Sequence, residues 1–133
     1  SDVCSSNLGE ALLTPTRIYV KPVLAALAAA QVHGVSHITG GGFYENIPRS
    51  IPDGLCARIE KHAVRIPPVF SLIQKAGNIP ERDMFNTFNM GVGMVVIVSP
   101  DTADAALAAL KGAGVEAYAL GQVVSGADKI LLV

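Results

Sequence analysis

Apolar and polar positions alternate along this chain in short blocks, and most blocks end at a glycine or a proline. The first ten residues, to Glu10, carry no sustained pattern and are expected to form a tail or surface loop. Ala11-Leu12-Leu13 is a brief apolar patch closed by Thr14-Pro15. Thr16 to Val20 alternates β-branched and aromatic residues, which predicts a short strand. Pro22 then suits the first turn of a helix, where its missing N–H has no partner to lose. The alanine- and leucine-rich run Val23 to Val32 continues that helix, with Gly34 as its stop.

Val35 to Thr39 is predicted as a buried strand running into Gly40-Gly41-Gly42. Phe43 to Ile51 is expected to be a short helix that ends near Pro52. Gly54 to Lys61 alternates Leu55, Ala57 and Ile59 with Cys56, Arg58 and Glu60, the clearest strand pattern in the chain. A helix opens at Pro67 or Pro68 and closes at Gly77-Asn78. A second spans about Pro80 to Phe88. Gly93 to Val98 is a continuous apolar run, consistent with a strand covered on both faces. Ser99-Pro100-Asp101 predicts a helix start with a side-chain cap, and that helix ends around Gly112 or Gly114. It is expected to pack against the preceding strand. Ala117 to Val124 and Lys129 to Val133 are read as closing strands. Strands and helices alternate, so the fold class is α/β of the α+β kind, a mixed β-sheet with helices packed on it.

Composition narrows the function classes. The chain has 133 residues, half of them apolar and 16% charged, which excludes a disordered segment and fits one domain. Ten Lys and Arg face eleven Asp and Glu, so the massed positive charge of a general nucleic-acid binder is missing. Cys4 and Cys56 match no metal-ligand spacing and read as free thiols. The run from Val23 to Val32 is half of what a bilayer needs. The first residues lack the basic start and apolar core of a signal peptide. A cytoplasmic location with no membrane partner is the expectation.

Candidate chemistry concentrates between His37 and Arg49. A strand that enters three glycines and then a helix start lets backbone N–H groups converge on an anion. Thr39 adds a hydroxyl, Arg49 a forked guanidinium, and Glu45 sits one helical turn from Arg49. The same residues also describe a plain flexible turn and a solvated ion pair. His37 is either a core histidine or a group for proton transfer. In Phe88-Asn89-Met90-Gly91-Val92-Gly93, two glycines mark close backbone packing or close approach of a ligand, and Asn89 either caps or contacts substrate. Arg17 and Lys21 are two cations expected on the surface at a strand end. His33 and His62 are read as surface residues.

The string HITGGGFYENIPR, preceded by LLTPTRIYVKP and followed by IPPVFSLIQKAGNI and TFNMGVGM, resembles the aminoimidazole ribonucleotide synthetases, or phosphoribosylformylglycinamidine cyclo-ligases. It covers only the C-terminal half of that two-domain family, from about Leu8 onward. The resemblance implies an ATP-dependent ligase of purine biosynthesis that closes the imidazole ring of formylglycinamidine ribonucleotide, in an intact enzyme that is a homodimer. It implies ATP and Mg held mainly by an N-terminal half, with no cofactor or metal ligand in this half. It gives Gly40, Gly41 and Gly42 a place facing the ligand, with Thr39, Glu45, Asn46, Arg49 and Asn89 as substrate-binding residues. His37 would be the catalytic candidate at the cleft edge. The chain on its own is expected to be inactive. The corresponding domain of formylglycinamidine ribonucleotide amidotransferase, or a ligand-binding module without catalysis, are the alternatives.

Overall fold

The computed structural model describes residues 8–133. Cys4 and the start of the expected N-terminal tail lie outside them. Leu8–Leu12 forms a short helix, α1, in place of the loop expected up to Glu10. The strand expected at Thr16 to Val20 does not form. Residues 14–19 are coil, and Val20 already opens α2, Val20–Ala29. Ile18 is 80% exposed and Val20 62% exposed. Of these five alternating residues only Tyr19 is even half-buried, and without a partner strand alternation alone cannot hold them extended. Pro22 falls in the first turn of α2, as expected, and is buried. Val20, Leu24 and Leu27 form an exposed stripe on the opposite side of the helix.

Gly34 is not the helix stop. It lies inside β1, Val32–His37, next to an irregularity in register between Val32 and Gly34. A Cβ there would meet Ser50 Cβ at 3.2 Å and the Ser50 carbonyl oxygen at 3.3 Å, so this glycine serves close packing. The helix expected over Phe43 to Ile51 is split into α3, Gly42–Asn46, and a 3₁₀ turn, Ile47–Ser50. Pro48 is the cause: it has no N–H to give the Tyr44 carbonyl, so the α ladder cannot continue through it.

The remaining elements follow the pattern more closely. β2 is Leu55–Ile59, α4 is Pro68–Gly77 and α5 is Glu81–Thr87. Asn78, at φ 49°, supplies the left-handed cap of α4 and donates its N–H to the helix's last carbonyls. β3 is Met94–Val98, with all five residues half-buried, so both of its faces are partly covered. After a 3₁₀ turn at Pro100–Thr102, α6 runs Ala103–Gly112. β4, Gly121–Ser125, and β5, Ile130–Leu132, end the chain.

The expected side-chain cap at Ser99 is absent. Its hydroxyl donates instead to Gln31 Oε1 at 3.0 Å and lies 2.7 Å from His33 Nε2. Thr102 Oγ1 donates to the Ser99 carbonyl and accepts from Gln31 N–H. The start of α6 is thereby tied to the start of β1. α6 packs chiefly against α2, correcting the expectation that it lies mainly on β3.

The described strands form two sheets rather than one. β1 pairs antiparallel with β3, with Val35 opposite Val96 and His37 opposite Met94. β2 lies between β4, antiparallel, and β5, parallel. The fold is α+β with mixed strand pairing. The core joins β2 to α3 and α5: Ile38, Phe43, Ile47 and Met84 are fully buried, and Phe43 meets Phe85 edge-on at 5.1 Å. Cys56, in β2, is a buried free thiol. Among the described residues no helix is long and apolar enough to cross a membrane.

Candidate functional site

Three stretches far apart in sequence meet at one concave region of about 410 Å³. The coil between α1 and α2 brings Thr14 to Arg17 and Tyr19. The end of β1 brings His37, Ile38 and Thr39, and the approach to β3 brings Asn89 and Gly93. Each stretch is held by a separate local device.

Tyr19 fixes the first stretch. Its hydroxyl occupies the space that a Cβ on Gly93 would need, and its ring meets His37 edge-on with centroids 6.2 Å apart. The Tyr19 carbonyl accepts from Val23 N–H at 3.0 Å, so the coil is anchored where α2 begins. At its other end Thr14 Oγ1 donates to the Glu10 carbonyl.

Asn46 fixes the second stretch. It is buried, and its Oδ1 accepts from Thr39 N–H at 2.6 Å and from Thr39 Oγ1 at 3.5 Å. Gly42 N–H donates to the Thr39 carbonyl at 2.9 Å, which closes the turn. Gly42 sits at φ 59°, and a Cβ on it would run into the Phe85 carbonyl oxygen. A Cβ on Gly41 would lie 2.6 Å from Glu45 Cβ. Only Gly40, exposed and with nothing within 4 Å of its Cβ position, resembles the open loop expected of all three.

The third stretch turns on Asn89. Val92 N–H donates to its carbonyl at 2.9 Å, with Met90 at φ 52° and Gly91 at φ 91° between them. Positive φ at both central positions marks a primed tight turn. Asn89 Oδ1 accepts from Gly91 N–H at 2.9 Å, so its carboxamide nitrogen is the group left for a ligand.

Of the residues singled out by sequence, His37, Thr39 and Asn89 come together here. Gly41, Gly42 and Asn46 lie behind them and shape the turn. Glu45 and Arg49 do not line the cleft. Glu45 Oε1 accepts from Asn86 Nδ2 at 3.3 Å, and Arg49 is exposed on the 3₁₀ turn. No Glu45–Arg49 ion pair occurs among the described residues. Pro48 explains this too, since it breaks the helical spacing that would have set them on one face.

Arg17 and Tyr19, expected on a surface strand, are cleft residues instead. The readable signal was an arginine and an aromatic flanked by Thr14-Pro15-Thr16, with a small residue, Gly93, elsewhere to receive the ring. Nothing local in sequence joins those two positions.

Electrostatically the cleft is simple. No carboxylate lines it, and Arg17 is its one permanently charged lining residue. The displaced titrations lie elsewhere: the Lys129 ammonium, hydrogen-bonded to Asp53, holds that carboxyl below its usual range, and Glu81 raises Lys61. Among the described residues no three His, Cys, Asp or Glu side chains gather as a metal-binding set. Among the described residues a divalent cation with its nucleotide therefore finds no cluster of carboxylates to hold it.

Residues 1–133 match the family described as AIR synthase related protein, C-terminal domain. The chain is 50% identical over 127 residues to the phosphoribosylformylglycinamidine cyclo-ligase of Alkaliphilus oremlandii, covering 96% of this chain and 37% of that protein. It is 52% identical over 126 residues to the enzyme of the same name from Caldicellulosiruptor bescii, with 95% and 37% covered. The cyclo-ligase of Shouchella clausii is 55% identical over 117 residues, with 88% and 34% covered. The chain spans about a third of the length of these curated relatives. The match runs through all three stretches that meet at the cleft, and the chain belongs to the AIR synthase related proteins as their C-terminal domain.

Proposed function

We propose that this chain serves as the C-terminal domain of a phosphoribosylformylglycinamidine cyclo-ligase and forms the ribonucleotide-binding wall of its active-site cleft. The observation that carries the reading is the cleft itself: a carboxylate-free concavity with one guanidinium, several hydroxyls and a carboxamide, in a chain 50% identical over 127 residues to a cyclo-ligase. Neutral donors and a cation suit a phosphorylated sugar, whose hydroxyls and phosphate need hydrogen bonds without competing negative charge.

In the reaction so proposed, the terminal phosphoryl group of ATP passes to the formyl amide oxygen of formylglycinamidine ribonucleotide with release of ADP, an amidine nitrogen attacks the formyl carbon and gives up a proton, and phosphate leaves that carbon. This domain's part is to bind and orient the ribonucleotide. Thr39 and Asn89 offer hydrogen bonds from opposite segments, and His37 at the cleft edge orients the substrate or takes the proton released on ring closure. ATP with Mg belongs mainly to an N-terminal domain, and the working enzyme is a cytoplasmic homodimer. No nucleic acid or membrane enters this reading.

Titration calorimetry of the chain with formylglycinamidine ribonucleotide, and separately with MgATP, tests it. Binding of the ribonucleotide without binding of MgATP is expected. Absence of ribonucleotide binding overturns the proposal and leaves a structural module.

A further inference from the structure

The anion-binding cation of this domain was expected next to the glycine stretch, at Arg49. The geometry points elsewhere. We propose that Arg17 is the phosphate anchor of the cleft, and that it takes the phosphate of a phosphorylated sugar whose hydroxyls face Thr39 and Asn89. The inference deepens the functional reading above and rests on it only for the identity of the whole substrate.

Three observations carry it. Arg17 lines the concavity, whereas Arg49 and Lys21 do not. No carboxylate lines the same space, and Arg17 takes part in no ion pair among the described residues, so its charge is not already neutralised there. The segment that carries it is held in place although it is coil. Tyr19, two residues on, is seated against Gly93 and His37, and its carbonyl is bound into the first turn of α2. A guanidinium on an anchored segment loses less conformational freedom on binding than one on a free loop.

The glycine turn is the weaker candidate for an anion site. Gly42 N–H is spent on the Thr39 carbonyl and Thr39 N–H on Asn46, so two of the N–H groups that an anion would need are already bonded. Arginine suits the role because its fork can bond two phosphate oxygens at once, and lysine cannot reproduce that geometry.

The test uses the chain with ribose 5-phosphate and ribose as probes, read by calorimetry. Ribose 5-phosphate should bind measurably more tightly than ribose. Arg17→Gln should weaken it about tenfold or more, Arg17→Lys by a smaller factor, and Arg49→Gln less than about twofold. Arg17 is exposed on coil, so the melting temperatures of its variants should match the parent. The proposal is overturned if ribose 5-phosphate fails to bind. It is equally overturned if Arg17→Gln binds like the parent, or if Arg49→Gln loses as much. The two readings fail separately. Arg17-dependent binding of ribose 5-phosphate with no preference for formylglycinamidine ribonucleotide sinks the cyclo-ligase assignment and leaves the anchor. Binding of that ribonucleotide unaffected by Arg17→Gln does the reverse.

Discussion

At the scale of single residues, the three consecutive glycines do three different things. Gly40 is exposed with open space at its Cβ position, Gly41 makes room for Glu45, and Gly42 combines a positive φ with contact against the Phe85 carbonyl. Gly42→Ala therefore meets both a backbone penalty and an overlap with a rigid neighbour, and should cost about 2–4 kcal/mol. Gly40→Ala should stay within about 0.5 kcal/mol of the parent. Urea unfolding of both variants checks this. Equal losses would mean that the turn is strained at Gly40 as well. Asn46 belongs to the same account: a buried carboxamide whose oxygen is used by Thr39 works by holding the cleft wall, whatever touches the ligand.

At the scale of elements, helix starts and stops are where local pattern and tertiary partners compete. Ser99 had every local reason to cap α6, yet its hydroxyl turns to Gln31 and His33. With Ser99 donating to Gln31 Oε1, its oxygen accepts the proton of His33 Nε2, so one hydroxyl joins α6 to β1 twice. A Ser99→Ala, Gln31→Ala double-mutant cycle in urea should show a coupling of about 0.5–1 kcal/mol. A cap bond would leave the two positions additive, and additive losses would restore the cap. α4 is the contrary case. Its stop at Gly77-Asn78 was readable because a left-handed cap is decided by two residues and needs no distant partner.

On the scale of the whole molecule, the pairing of β1 with β3 brings the end of β1 and the approach to β3 together at the cleft, with β2 and its neighbours joined to α3 and α5 through the core. In the proposed function the cleft holds one side of a reaction. Phosphoryl transfer from a metal-bound nucleotide needs carboxylates around the cation, and no such cluster is found among the described residues. Mixed with ATP, Mg and formylglycinamidine ribonucleotide, the chain by itself should release phosphate at the background rate in a coupled assay. Turnover well above background, from protein free of full-length enzyme, would show that the domain needs no partner for the nucleotide.

What the sequence by itself determined was whatever depends on near neighbours along the chain. The alternation from Leu55 to Ile59, the prolines that open α4 and α5, the asparagine that closes α4 and the glycines before α3 were all readable, and with them the α+β class. The thirteen-residue string from His37 to Arg49 carried the family. Only the tertiary structure decided which residues share a cleft. Arg17 and Tyr19 are joined to His37 and Asn89 by Gly93, 74 positions beyond Tyr19 in the chain. The missing Cβ there is what lets the tyrosine hydroxyl in, and a missing atom announces no partner in a sequence. Arg49 stands on the 3₁₀ turn after α3, outside the cleft lining. Local propensity sets the elements, but packing chooses which of their exposed side chains face the same space.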